Sequence, residues 1–154
     1  MAIGDTSAAK SHYLRGAQQA EEIHYGRMLQ ICYETLGTLA LIEEDLERAQ
    51  QFSLKCLRIS QDCGQTREML ASLRDLAKVY VAQGDLDSAL QLLAVVLNHP
   101  ASEQNSLYRT ERLRDESETL RAQIETRLDR PRYESAWEAG QKKRLAEVVA
   151  QILT

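Results

Sequence analysis

The side chains best able to do chemistry are few and scattered. Ser11 stands beside His12, types that could serve as nucleophile and base. Neighbouring residues on a helix point about 100° apart, so this pair does not meet. Glu43-Glu44-Asp45 could hold a cation, and reads equally as a solvated turn followed by a helix N-cap. The histidines His12, His24 and His99 have no ligand partner one helical turn away. Cys32, Cys56 and Cys63 are odd in number and form no Cys-x-x-Cys, which fits neither a disulfide framework nor a zinc knuckle. Cys32 and Cys56 read as small core residues of a reduced, cytoplasmic protein. The seven glycines form neither Gly-x-Gly-x-x-Gly nor a Walker loop. The expectation is a non-enzyme with no catalytic residue, no metal ligand and no cofactor.

What must position any binding residues is helical. The chain has 154 residues, the size of one ordinary domain, with 44% hydrophobic and 27% charged residues. Aromatics make up 5%, and only two prolines occur, which argues against a sandwich or barrel. No apolar run reaches the roughly 20 residues of a bilayer span, and Met1–Lys10 carries no secretory pattern. The net charge is −4, and both signs interleave along the C-terminal third apart from the short cluster Lys142-Lys143-Arg144. That pattern predicts neither direct nucleic-acid binding nor membrane binding.

A forty-residue repeat organises the first two thirds. Gly84-Asp85-Leu86 with Ala89 follows Glu44-Asp45-Leu46 with Ala49, and Gly4-Asp5 with Ala9 precedes both. The register extends to Tyr13, Ser53 and Leu93, to Gly16, Cys56 and Val96, and to Ala17, Leu57 and Leu97. Upstream, Leu36-Gly37 pairs with Leu76-Ala77, and Ala40 with Tyr80. Each unit predicts a helical hairpin. First helices run over about 25–43 and 66–83, and second helices over about 6–22, 46–62 and 86–98. Asp5, Asp45 and Asp85 are placed as N-caps, and the small Ala49 and Ala89 allow close helix packing.

These residues resemble the tetratricopeptide repeat (TPR). In one copy the likeness rests on Leu36, Gly37, Asp45, Leu46, Ala49, Cys56 and Leu57. In the next it rests on Leu76, Ala77, Tyr80, Gly84, Asp85, Leu86, Ala89, Leu93 and Leu97. The departures are Glu44 for the turn glycine, Ser53 for a large apolar residue and Ala40 for a tyrosine, with extra residues around 63–66. The resemblance implies an all-α, right-handed helical-hairpin solenoid of about two and a half hairpins over residues 1–100, and residues 101–154 as a helical cap.

In that cap, Pro100 ends the repeat and Ala101–Ser106 reads as a polar linker. A charged helix over about 104–128 carries Leu107, Leu113, Leu120, Ile124 and Leu128, and Asp129-Arg130-Pro131 breaks it. Two short helices, about 132–139 and 142–153, are expected to hinge at Gly140. The run Tyr133-Glu134-Ser135-Ala136-Trp137-Glu138-Ala139-Gly140 is similar to the C-terminus of bacterial regulators that join a STAND-type ATPase to TPR repeats, some with a LuxR-type helix-turn-helix. Neither of those two domains is in this chain. Because the first copy starts inside its turn, the expectation is either a piece of a larger protein or an apolar face buried in a dimer through residues 6–22.

The TPR resemblance implies a concave groove lined by first helices. Its positions fall on Ile31, Glu34, Thr35, Thr38, Leu41 and Ile42, and on Ala71, Arg74, Asp75, Lys78, Val81 and Ala82. Some co-chaperones of this family clamp a chaperone's C-terminal carboxylate there. Here Glu34, Thr38, Ala71 and Asp75 occupy places that would need basic or amide side chains, so that clamp is not expected. Two outcomes stay open: an accessible groove, or one filled by the C-terminal helices with Arg74 and Lys78 paired to Glu34 or Asp75. The function expected is protein or peptide binding, as sensor or scaffold of a bacterial signalling or transcriptional regulator. The alternatives are a free-standing assembly adaptor and a self-association module.

Overall fold

The structure, a computed structural model, describes residues 3–103 and 110–154. Among these residues there are helices and no strands. Helix α1 spans Ile3–Glu22, α2 Gly26–Ile42, α3 Leu46–Asp62, α4 Thr66–Gln83 and α5 Leu86–Asn98. After a 3-10 turn at Pro100–Ser102 come α6, Thr110–Glu125, α7, Arg130–Gln141, and α8, Leu145–Leu153. No described helix is long and apolar enough to cross a membrane.

The hairpins are set by turns of one kind. His24, Glu44, Gly64 and Gly84 all adopt left-handed backbone angles, with φ of 52°, 59°, 65° and 83°. They stand twenty residues apart (24, 44, 64, 84), so the forty-residue repeat is two half-repeats of the same helix-and-turn design. In each turn the next amide donates back across the helix end. Tyr25 reaches the Ala20 carbonyl, Asp45 that of Ala40, Gln65 that of Ser60 and Asp85 that of Tyr80, all at 2.8–2.9 Å. This is the Schellman closure, which satisfies orphan carbonyls and requires a left-handed residue. Glycine meets that need freely at 64 and 84, whereas His24 and Glu44 meet it against the steric preference of their Cβ.

The helix starts alternate. Asp45 and Asp85 accept hydrogen bonds from the Arg48 and Ser88 amides and cap α3 and α5. Tyr25 and Gln65, which precede α2 and α4, make no side-chain cap. The expected cap at Asp5 is not formed, because α1 already runs from Ile3 and Asp5 lies within its first turn.

Within a hairpin the helices approach closely. Ala49 and Ala89 are fully buried, and a Cβ on Gly37 would stand 3.5 Å from that of Phe52. Buried serines on these interfaces spend their hydroxyls on their own helix: Ser53 donates to the Ala49 carbonyl and Ser60 to that of Cys56.

The C-terminal helices share the main core with the repeats. Leu113, Leu120 and Ile124 of α6, Tyr133 and Ala136 of α7, and Val148 and Val149 of α8 join the buried leucines of α4 and α5. Helix α7 lies along α5, α6 rests on α5 and α4, and α8 reaches α3, where Arg58 donates to the Leu153 carbonyl. Asp129 caps α7 with Pro131 in its first turn, as the break at 129–131 predicts.

Three expectations for this region change. Gly140 is no hinge. It is buried inside α7, where an added Cβ would stand 2.5 Å from the Gln91 carbonyl oxygen and 2.7 Å from the Ala94 Cβ. Ala101 and Ser102 are buried rather than part of a polar linker, because their turn packs beneath α4 and α5. The long charged helix is shorter than expected at its C-terminal end, since α6 stops at Glu125 and Leu128 falls after it. Its expected start at Gln104, and Leu107, lie outside the described residues.

Candidate functional site

Residues of α2 and α4 line a common groove whose far wall is α6. A cavity of about 320 Å³ occupies it. Ile31, Glu34 and Thr38 line it from α2, and Ala71, Arg74, Asp75 and Lys78 from α4. A second cavity of about 240 Å³ continues along α2 and takes in Thr38, Leu41 and Ile42. Nine of the twelve expected groove positions therefore border these two cavities. Thr35, Val81 and Ala82 do not. Thr35 turns its hydroxyl to the Ile31 carbonyl, Val81 packs against the main core, and Ala82 is exposed beyond the cavities.

The groove floor is electrostatically knitted. The Arg74 side chain is only 8% exposed. Its guanidinium donates to Asp75 at 2.9 Å, faces Glu116 of α6 at 3.3 Å and stands 3.9 Å from Glu34. Lys78 donates to the same Glu116 carboxylate at 3.0 Å. Burial works against charge on Arg74, but Asp75, Glu116 and Glu34 outweigh it and hold the guanidinium more firmly protonated than usual. Burial likewise opposes charge on Glu116, yet the Lys78 hydrogen bond and the Arg74 field hold its carboxyl below the usual range. The open alternatives thus resolve into an intermediate. Helix α6 walls the groove and supplies a counter-charge, and the cavities remain beside it.

Cys56 also lines the cavity. Burial, then the nearby Asp75 and Glu34 carboxylates, push its thiol well above the ordinary range. Its Sγ donates to the Gln30 carbonyl at 3.7 Å.

The second cavity has a sequence cause. Tyr33, Gly37 and Ser53 line it. Ser53 is the equivalent of Leu93, and Leu93 is fully buried in its own copy. The departure from the repeat pattern at Ser53 leaves a space where the next repeat has core.

Several lining residues are not among the groove positions expected from the first helices. Arg27 and Arg67 border the larger cavity at the N-terminal ends of α2 and α4, and α6 adds Arg112, Leu113 and Glu116. The two arginines are forty residues apart, so the repeat register itself carried the signal. The α6 residues carried none, because nothing in their spacing says which face of the repeats they cover.

Residues 6–22, expected to leave an apolar face open, do not. Tyr13, Ala17 and Ala20 turn towards the repeats, and Tyr13 and Ala17 pack with Cys32 and Leu36. The outward positions Ser7, Ser11, His12, Arg15 and Gln18 are polar, and Leu14 is the one large apolar side chain exposed among these residues. His12 and Ser11 both face outwards and border neither of the two cavities.

No curated protein and no solved structure matches the chain. A tetratricopeptide repeat family model matches residues 28–99, from the first turn of α2 to the end of α5. That match and the hairpins seen there make this stretch a TPR-like helical solenoid, a type of repeat that generally mediates protein–protein interaction.

Proposed function

We propose that this chain is a protein- or peptide-binding module whose contact surface is the groove between α2, α4 and α6. The carrying observation is the cavity of about 320 Å³ between the first helices of the TPR-matched hairpins and α6, a size suited to holding ligand side chains. On this reading the chain serves as the sensor or scaffold part of a cytoplasmic bacterial regulator, with residues 101–154 capping the repeats of residues 1–100. Glu116 supports a sensing role. It ties α6 to Arg74 and Lys78 on the groove floor, so a ligand competing for those cations shifts the balance between α6 and the repeats. Neither a cofactor nor a membrane nor nucleic acid takes part.

An assembly adaptor would use the same groove without that shift. Self-association through residues 6–22 has the polar outward face of α1 against it.

The test is capture from source lysate by the wild-type chain beside Leu41→Arg/Lys78→Glu, with far-UV circular dichroism confirming equal helicity. Loss of capture in the variant is the expected result. Equal capture by both would overturn the groove as the contact surface.

A further inference from the structure

The chemistry of the ligand can be taken one step beyond a groove that binds protein, and the step rests on that reading. Arg27 and Arg67 occupy the second positions of α2 and α4, equivalent places in two successive repeats. A cation in the first helical turn opposes the helix dipole and gains nothing for folding. The same helix starts carry no side-chain cap, whereas α3, α5 and α7 are all capped by aspartate. At α4 the Gln65 side chain accepts from Gln30 instead.

Neither arginine forms an ion pair with any described residue. The Arg67 Nε is buried and has no hydrogen-bond partner among the described residues. A buried guanidinium donor without an acceptor is costly to leave unmade, and both side chains border the cavity. Of the carboxylates bordering the same cavity, Glu34, Asp75 and Glu116 face Arg74, which leaves Glu68 as the one beside this pair. The end of the groove at Arg27 and Arg67 is therefore short of negative charge. The other end is apolar and indented, at the cavity bordered by Leu41, Ile42 and Ser53.

From Arg27 to Leu41 is fourteen residues of α2 (41 − 27), about 21 Å at 1.5 Å per residue. An extended chain covers that span in about six residues. We propose that the groove takes an extended peptide whose acidic residue sits against Arg27 and Arg67 and whose apolar residue, about six positions away, enters the cavity beside Ser53. The acid lies at the helix starts, not at positions 34, 38, 71 and 75.

A phage-displayed library of random twelve-residue peptides, selected on the full chain, tests this without presupposing a partner. The enriched peptides should share an acidic and a large apolar position about six residues apart. A synthetic enriched peptide, followed by fluorescence anisotropy, should bind Arg27→Glu/Arg67→Glu at least about tenfold more weakly, and its acid-to-amide version should lose the same factor on the wild-type chain. Ser53→Leu should also weaken binding at least about tenfold by filling the apolar cavity. The peptide-side change keeps the test decisive if a protein variant folds poorly. Enrichment without an acidic position, or affinity unchanged by the acid-to-amide exchange, overturns the inference. If such a peptide is still lost in Leu41→Arg/Lys78→Glu, the groove reading survives that failure. No enrichment, or binding indifferent to every groove variant, overturns both.

Discussion

Arg74 of α4 and Glu116 of α6 face each other at 3.3 Å, and through this contact the C-terminal third is tied to the floor of the repeat groove. Glu116 also accepts from Lys78, so one carboxylate serves two cations on successive turns of α4. Its carboxyl is held below its ordinary pKa, and a group so depressed stabilises the fold above its unfolded pKa and loses that contribution as pH falls through the folded one. Glu116→Gln should destabilise the chain by about 1 kcal/mol at neutral pH, discounted because the carboxylate is one-third exposed. Urea midpoints of the two proteins should then converge below about pH 4, where carboxylates protonate. A gap that persists unchanged in acid would contradict the ion-pair account.

Among the described glycines, Gly140 leaves the least room for a Cβ. The atoms an added Cβ would meet are backbone atoms and the Cβ of α5, none of which can swing aside. Gly140→Ala should cost about 3 kcal/mol, the upper end for overpacking, despite alanine's better helix propensity. Urea denaturation checks this, and a neutral or stabilising result would show that α7 does not lie against α5 as described.

Glu44 occupies a left-handed position that its counterparts fill with glycine at 64 and 84. Glu44→Gly should therefore raise stability, by about 0.5–1 kcal/mol, although glycine elsewhere in a helical chain lowers it. Gly84→Ala should do the reverse by a similar amount. Thermal melts of the two variants should move in opposite directions.

Trp137 is only half-buried. Its indole stacks on Tyr133 with 6.4 Å between ring centroids, and the Arg121 guanidinium lies 3.9 Å over it. Trp137→Ala should cost about 2 kcal/mol, below the roughly 3–5 of a fully buried tryptophan. A change near zero in chemical denaturation would mean that α7 contributes nothing to the shared core.

The repeat portion of the fold was legible because periodicity and turn chemistry agree. Apolar spacing located the helices of residues 26–98 within about two residues, and Asp45 and Asp85 named the starts of α3 and α5. The turns around His24 and Glu44 were harder to read, since neither residue type announces a left-handed angle. Gly140 misled for the opposite reason. A glycine near a helix end suggests freedom, and only the packed structure shows that it is there for lack of a Cβ. The groove positions on α2 and α4 followed from the repeat register, which also placed Arg27 and Arg67 in equivalent positions. Glu116 was illegible, because the face that a charged helix turns to a neighbour depends on the neighbour.

The central claim is that ligands enter the groove. It is tested most directly by a photo-reactive amino acid placed at Thr38, an exposed position bordering both cavities, beside the same probe at Ser11 on the outer face of α1. After illumination in source lysate, the Thr38 probe should form a discrete adduct with another protein and the Ser11 probe should not. An adduct from Ser11 alone, or only chain-to-chain adducts, would contradict the account.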